Sequence, residues 1–596
     1  MPVAAPFLRR WRLLPEDSTA AANLARQLGT SSVVGQLLIH RGLRDPQEAQ
    51  RFLHPSLRHL HPAEDLPGVP QAVDRILQAI AQDKRICVYG DYDVDGITGT
   101  AILLKVLHLL GARRPHHYVP HRLEEGYGLN REALARLAKD DEVNLVITVD
   151  CGIASLAEAE EARRLGLELI ITDHHEIKES LPAADVLVHP RLPGGNYPFG
   201  HLCGAGVALK LAWALARKHC GTERVSEPFR EMLMDGVALA ALGVVADVVP
   251  LHDENRVLVT AGLERLSDPD RSPLGVRVLM ETAEMDMTRA LTASQLGFQI
   301  APRINAVGRL GQALMAVELL TTRQRQRAVD LARHCEEQNS ARQKLERDTL
   351  QIARERLEEE GRAEDPALVL ARSDWHPGVV GIVAGRLADR YARPTLLITL
   401  PKSGSREELA VGSGRSLHGI PLHEALRACD DLLVAHGGHA AAAGFRLDPG
   451  RIDEFRQRIC SFVEGRQPAG APAPELLIDA EVPLSAMTPS LLNHLDQLEP
   501  YGADNRKPLF LASGLQVVDE PRKVGKGERH LNFRLRQGNQ VLKAIGWNMA
   551  DRLEELMSSG GACSLVFTPR RNEWQGRVSV DLEVTDFQPG AEVRLS

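Results

Sequence analysis

The chain has 596 residues, 44% apolar and 25% charged, with a formal net charge of −8. At about 150 residues per domain it is too long for one hydrophobic core and is expected to divide into about four. Its longest apolar run, residues 237–246, falls well short of the ~18 residues a membrane span needs, so no membrane partner is expected.

The N-terminus places an apolar stretch before Arg9, Arg10 and Arg12, the reverse of a secretory signal. The eight cysteines form no CxxC pair, and several sit in apolar segments as buried thiols do. Both features fit a cytoplasmic protein. The net charge leaves nucleic acid open as a partner, because DNA affinity needs local positive surface and not a positive total.

In chain order, the first signal is a helical pattern at residues 18–42. Residues 85–89 form a short β run that ends in a polar loop, and a helical pattern follows at 98–110, closed by Gly111. Further β runs lie at 144–149, 167–172 and 185–189. Strands alternating with helices predict a parallel sheet covered on both faces, with ligands beyond the carboxyl ends of the strands. Residues 323–360 lack Pro and Gly and read as one helix of about 57 Å, or as two with a bend. A second α/β segment opens at 367–370 and runs to about 464, followed by a Pro/Gly/Ala linker at 465–474. Short β runs at 476–482, 509–518, 531–535, 541–547, 564–568 and 578–584 then predict a small β-barrel. The expected divisions are a helical segment 1–60, an α/β domain 61–322, a connecting helix 323–361, a second α/β domain 362–464, the linker, and the barrel 475–596.

The chemistry lies at the ends of the strands. The first runs into Asp91, Asp93 and Asp95, three carboxylates at spacing two that can converge on a hard cation. The loop matches the start of an EF-hand but has Ile102 where that loop needs a bidentate Glu. The second strand ends at Asp150 and the third at Asp173, His174 and His175. A lone aspartate after a strand is more often a helix cap than a ligand. Three such endings in succession reverse that reading, and mixed carboxylate and imidazole ligands suit manganese or magnesium. Asp247 follows the long apolar run as a fourth acid.

The segments GDYDVDG (90–96), VDCG (149–152), TDHH (172–175) and GVVADVVPL (243–251) resemble, in this order, the four motifs of the DHH phosphoesterases. Three later segments, APRINAVGR (301–309), WHPGVVGIVAGR (375–386) and GGHAAAAGF (437–445), are similar to its single-strand-specific DNA exonuclease branch. The resemblance covers about residues 60 to 590. It implies a DHH domain, a DHH-associated α/β domain and a C-terminal OB-fold. It also implies two Mn²⁺ or Mg²⁺ ions on Asp93, Asp95, Asp150, His174 and Asp247, with Asp91 as a further member. Asp150 is the candidate bridging carboxylate, and His175 would stand beside the metals. Many family members carry a ligand histidine where this chain has Tyr89, and a phenol of pKa ~10 ligates poorly at neutral pH.

Hydrolysis of a phosphodiester needs two cations and positive groups to hold the phosphates. Arg303, expected as catalytic together with Asp150 and His175, and Arg309, with Asn305 between them, are candidates for that grip. In the second α/β segment Ser373, His376, Arg415, Ser416, Gly438 and His439 read as a phosphate-holding surface. His423 and His436 read as structural. Basic residues of the barrel, among them Arg522, Lys523, Arg534 and Lys543, are interleaved with Phe533, Trp547 and Trp574, as suits an OB-fold tracking single-stranded DNA.

The resemblance therefore implies a metal-dependent exonuclease of single-stranded DNA working from the 5′ end in DNA repair and recombination. A single-strand-binding protein and a helicase are partners expected on the same ground. The alternatives are a DHH phosphodiesterase or pyrophosphatase acting on small nucleotides, which needs no barrel, and an inactive nucleic-acid scaffold, disfavoured by the nearly complete acid set.

Overall fold

A computed structural model describes residues 10–122, 125–222, 224–309, 311–401, 408–416, 419–466, 475–574, 577–590 and 592–595. The chain forms two compact units, one of Pro62–Asp247 and Gly262–Pro472, the other of Met1–His61, Val248–Ala261 and Ala473–Ser596.

In the first unit a parallel sheet runs in the spatial order His116–Tyr118, Ile86–Gly90, Leu145–Val149, Glu168–Thr172, Val186–Val188. Ile86–Gly90 and Leu145–Val149 are buried along their whole length, which is why they read as unbroken apolar runs. The helix expected at 98–110 starts earlier and spans Val94–Leu109. Asp93 caps it by accepting from the amides of Asp95 (2.9 Å) and Gly96 (3.1 Å). It packs against the helices Gly204–Cys220 and Glu227–Ala246. The apolar run 237–246 is the buried second half of that last helix, so Asp247 follows a helix, whereas the other acids follow strands.

Residues 325–359 form one unbroken helix, Arg325–Glu359, of about 52 Å. It leads to a mixed sheet with the order Leu433–Gly438, Ala442–Leu447, Ala410–Arg415, Thr395–Thr399, Leu368–Arg372, in which only the last two strands run parallel.

The second unit holds the barrel. Its strands run Ala480–Glu481, Phe510–Val517, Ala562–Trp574, Arg577–Pro589, Gln540–Gly546, His530–Gln537, Arg522–Val524, and Phe510–Val517 also pairs with His530–Gln537 to close the sheet. The runs at 564–568 and 578–584 are the middles of a thirteen-residue hairpin pair.

The N-terminal segment is not a separate domain. Its helices Ser18–Leu28, Ser32–His40 and Pro46–Leu53 are short, with too little apolar surface to stand alone. Leu24, Leu37, Leu38 and Phe52 share one core with Leu495, Phe510, Leu531 and Phe567 of the barrel. Strand Arg10–Leu13 pairs parallel with Glu475–Ile478. Residues 248–261 also belong to this unit. There Arg256, almost wholly buried, donates to the carbonyls of Phe52 (2.6 Å), Gln497 (3.1 Å), Leu498 (3.1 Å) and Glu499 (2.6 Å). Of the linker 465–474, only Gly465 and Arg466 lie within the described residues. No helix among the described residues is long and apolar enough to cross a membrane, and all eight cysteines are free.

Candidate metal centre and phosphate-binding face

The acids converge beyond the carboxyl ends of the parallel strands. Among the described residues, three groups bring ligand atoms within 4.8 Å of one another: Asp91, Asp93 and Asp150; Asp95, His174 and Asp247; and Asp150, His174 and His175. Asp150 and His174 each belong to two of them. Asp150 is reached by a turn at positive φ (63°), which aspartate tolerates better than most residues, and the Tyr127 hydroxyl donates to its carbonyl (3.1 Å).

Around His174 Nε2 stand Asp150 Oδ1 at 3.0 Å, Asp247 Oδ2 at 3.6 Å and Asp95 Oδ2 at 3.7 Å. The 3.0 Å approach is not aligned as a hydrogen bond: His174 Nε2, Asp150 Oδ1 and Asp91 Oδ1 are all buried without a hydrogen-bond partner. Burial pushes the His174 imidazole down to about 4, leaving it neutral. Burial and the crowding of like charges raise Asp91, Asp95 and Asp150, and lift Asp247 to about 8. A site that disfavours its own charges in this way is stabilised by a cation.

Asp95 is held by the first turn of the helix Gly204–Cys220, where its oxygens accept from the amides of Gly204 (2.5 Å) and Ala205 (2.9 Å). A carboxylate has about four acceptor positions, so this leaves room for a further ligand. Tyr89 is not in the acid group. Its ring lies in the core with Cys87, Leu129 and Cys151, and its hydroxyl donates to the Gly128 carbonyl (3.1 Å).

His175 accompanies the centre differently. Its Nδ1 lies 2.8 Å from Asp173 Oδ1 and 3.1 Å from the Tyr127 hydroxyl. Burial alone would lower its pKa, but the bond to Asp173 and that carboxylate's charge raise it to about 9. Asp173 was read only as part of the third strand ending, with no role of its own, and Tyr127 was not singled out from the sequence. The role of Asp173 could have been read from its place beside His175; Tyr127, between Gly126 and Gly128, carries no such signal.

The cationic candidates separate. Arg309 donates to the Gly378 carbonyl (3.2 Å), and burial together with repulsion from the nearby charges of Arg122, Arg342 and Arg415 brings it down to about 10. Arg122 lies over the Tyr92 ring (4.7 Å) and acts on Asp91, which joins this cluster to the acids. Arg122 and Arg342 were missed because no motif marks them. Arg303 differs: its Nε donates to Glu336 of the long helix (2.5 Å) and its Nη1 to the Gln299 carbonyl. Six residues apart on the helix Ala301–Arg309, Arg303 and Arg309 point about 120° apart. Arg303, expected to help hold the phosphates, is engaged by the long helix through Glu336. Asn305 Oδ1 accepts from the Val94 amide (3.2 Å), next to Asp93. Gly308 admits the Tyr92 carbonyl, which a Cβ would meet at 2.2 Å.

In the second α/β segment Arg415 Nη1 donates to the Gly414 carbonyl (2.8 Å) and to Ser413 Oγ (3.2 Å). His376 caps the helix Pro377–Tyr391 by accepting from the Gly378 amide (3.0 Å). Ser416 Oγ is buried without a hydrogen-bond partner, whereas Ser373, Gly438 and His439 are exposed. His436 is exposed and pairs with Asp430 (2.5 Å). On the barrel Phe533 is 3% exposed and belongs to the core, while Trp547 is 42% exposed and packs edge-on against His530 (4.8 Å). The side chain of Trp574 lies outside the described residues.

Similarity to known proteins follows this layout. The DHH family N-terminal domain matches residues 85–241, the DHHA1 domain 364–465 and the RecJ OB domain 478–586. The single-stranded-DNA-specific exonuclease RecJ of Bacillus subtilis is 37% identical over 577 residues, 97% of this chain and 70% of that protein. The chain belongs to the RecJ family. RecJ of Escherichia coli is 33% identical, covering 93% of this chain and 95% of that protein. The crystal structure of RecJ with Mn²⁺ from Thermus thermophilus aligns with a TM-score of 0.81 at 33% identity, over 98% of this chain and 80% of that one. A RecJ structure from the same source with Mg²⁺ aligns at 0.76.

Proposed function

We propose that this chain is a single-strand-specific DNA exonuclease that hydrolyses phosphodiester bonds at a two-cation centre, working from the 5′ end. The observation that carries the reading is the linkage of three ligand groups through Asp150 and His174, with three buried, unpartnered atoms on Asp91, Asp150 and His174. Each such atom costs about 1–3 kcal/mol if nothing meets it. An oxygen and imidazole donor set without thiolate fits Mn²⁺ or Mg²⁺. Asp91, Asp93 and Asp150 would hold one ion, and Asp95, His174 and Asp247 the other, with Asp150 between them; Asp91 takes the place that Tyr89 leaves. Ions bound there supply an activated water and neutralise charge on the reacting phosphate.

The remaining work falls to the chain's own residues. His175, oriented by the bond from its ring to Asp173, is placed to donate to a phosphate oxygen. Arg309, Arg415 and Arg122 grip phosphates; Arg342, held by Glu346 and Asn339, adds positive charge beside them, and Arg303 contributes by fixing the helix that carries Arg309. Ser373, His376, Ser416, Gly438 and His439 form the surface that receives the strand's end. The barrel holds the strand further from its end, with Trp547 as the stacking residue. The names of the Bacillus and Escherichia relatives and the Mn²⁺ of the Thermus structure support this reading. The presence of the barrel favours it over a small-nucleotide phosphodiesterase. A cytoplasmic role in DNA repair and recombination, with a single-strand-binding protein and a helicase as partners, belongs to the same proposal.

The test is single-stranded DNA labelled at either end, incubated with the protein and Mn²⁺. Early release of the 5′ label as mononucleotide, blocked by EDTA and absent on blunt duplex, is the expected result. Early release of the 3′ label refutes the polarity, and cleavage of dinucleotides alone refutes the substrate class.

A further inference from the structure

The dipeptide His174–His175 lies just past the strand Glu168–Thr172, where no sheet ladder holds it. Side chains hold its backbone instead. The Asp173 carboxylate accepts from both amides, at 2.7 Å and 3.1 Å. The two carbonyls are taken by residues that lie beyond the next strand, Val186–Val188. Arg191 Nη2 donates to the His174 carbonyl (2.8 Å), and His189 Nε2 donates to the His175 carbonyl (2.8 Å). His189 is fully buried, and its Nδ1 accepts from the Arg191 amide (3.0 Å). With Nδ1 accepting, the proton must sit on Nε2, so the ring is fixed in the tautomer that donates to His175. Gly200 makes room for the arginine: a Cβ there would lie 3.0 Å from Arg191 Cγ.

We propose that Arg191 and His189 are positioning residues of the hydrolytic centre, Arg191 setting the aim of the His174 ring and His189 that of the His175 ring. The inference rests on the reading that His174 holds a cation and His175 faces the substrate. The peptide plane between the two histidines is pinned by Arg191 at its oxygen and by Asp173 at its nitrogen, which fixes the backbone on the carboxyl side of His174. The plane after His175 is pinned by His189. Side-chain direction follows backbone direction, and groups behind a ligand that fix its orientation typically change metal affinity or activity 10–100-fold when lost.

The two roles separate in experiment. The full chain is titrated with Mn²⁺ by calorimetry, and hydrolysis of single-stranded DNA is measured at saturating Mn²⁺ beside the unfolding temperature. Arg191→Ala is expected to weaken Mn²⁺ binding about 10–100-fold, with Arg191→Lys recovering most of it. His189→Leu is expected to bind Mn²⁺ as the parent does and to lose about 10–100-fold in kcat with KM unchanged. His189→Gln should recover kcat, because its Nε2 can occupy the place of the imidazole Nε2. Parental Mn²⁺ affinity in Arg191→Ala, or parental kcat in His189→Leu, overturns the assignment of that residue. Losses that follow only the unfolding temperature, without recovery in the conservative variants, overturn both. His174→Ala is the control: if it keeps full Mn²⁺ affinity, the ligand reading itself falls and takes this inference with it.

Discussion

Gly243 lies directly against the carboxylate of Asp95: a Cβ on Gly243 would fall 2.3 Å from Asp95 Oδ1 and 2.8 Å from the Ala205 Cβ. Neither neighbour can yield easily, since Asp95 is pinned by two amides of the helix to which Ala205 belongs. Gly243→Ala should therefore displace a proposed ligand without touching it chemically. The expected outcome is a loss of Mn²⁺ affinity larger than the overpacking cost of about 1–3 kcal/mol would suggest from the unfolding temperature alone. Calorimetric Mn²⁺ titration beside thermal unfolding checks it.

Asp150→Asn should abolish hydrolysis and yet stabilise the metal-free protein. Asp150 is buried, and its charge is opposed by Asp95, Asp93, Asp91 and Asp247. A neutral side chain of the same shape removes that repulsion, so the unfolding temperature in EDTA should rise. Added Mn²⁺, which stabilises the parent by binding its folded state, should no longer do so. A lower unfolding temperature in EDTA counts against the charge-crowding argument.

The adjacent histidines should fail in different ways. His174→Ala is expected to weaken Mn²⁺ binding, as removal of a neutral imidazole donor at the centre requires. His175→Ala should bind Mn²⁺ nearly normally and hydrolyse DNA poorly, because its Nδ1 is committed to Asp173. Equal losses of affinity in the two titrations would mean that the roles are misassigned.

On the barrel, Trp547→Ala should weaken single-stranded DNA binding by about 1–3 kcal/mol, the worth of one stacked base, with the fold intact. Arg522→Ala should reduce the log–log salt slope by ~0.7 if it meets one phosphate. Phe533→Ala should instead destabilise the unit by about 3–5 kcal/mol, because that ring is core. Fluorescence anisotropy across a salt series, with denaturant unfolding alongside, separates the three.

The parallel sheet, the long helix and the barrel were legible because each obeys a local rule: alternating apolar runs, a stretch free of Gly and Pro, and evenly spaced short strands. The convergence of Asp91, Asp93, Asp95, Asp150, Asp247 and His174 was legible because they fall at or just past the ends of apolar elements. That Arg303 and Arg309 engage different partners was not legible, because a motif gives neighbours along the chain, whereas helical phase decides which way each one faces. Arg122, Arg342 and Tyr127 were invisible because nothing around them in sequence marks a convergence that only the folded chain creates. The kinship of residues 10–61 and 248–261 with the barrel was equally hidden, since a shared core leaves no trace of which apolar faces meet.

That shared core also bears on synthesis. The helices that carry Leu37, Leu38 and Phe52 are made well before the barrel side chains that cover them. With roughly 430 residues between Leu53 and Leu484, translation at about 5–20 residues per second leaves those apolar faces uncovered for something like 20–90 s. The α/β unit can close around its acids while the ribosome is still reading the barrel. Until residues 484 to 587 are made, Leu37, Leu38 and Phe52 lack the partners that bury them.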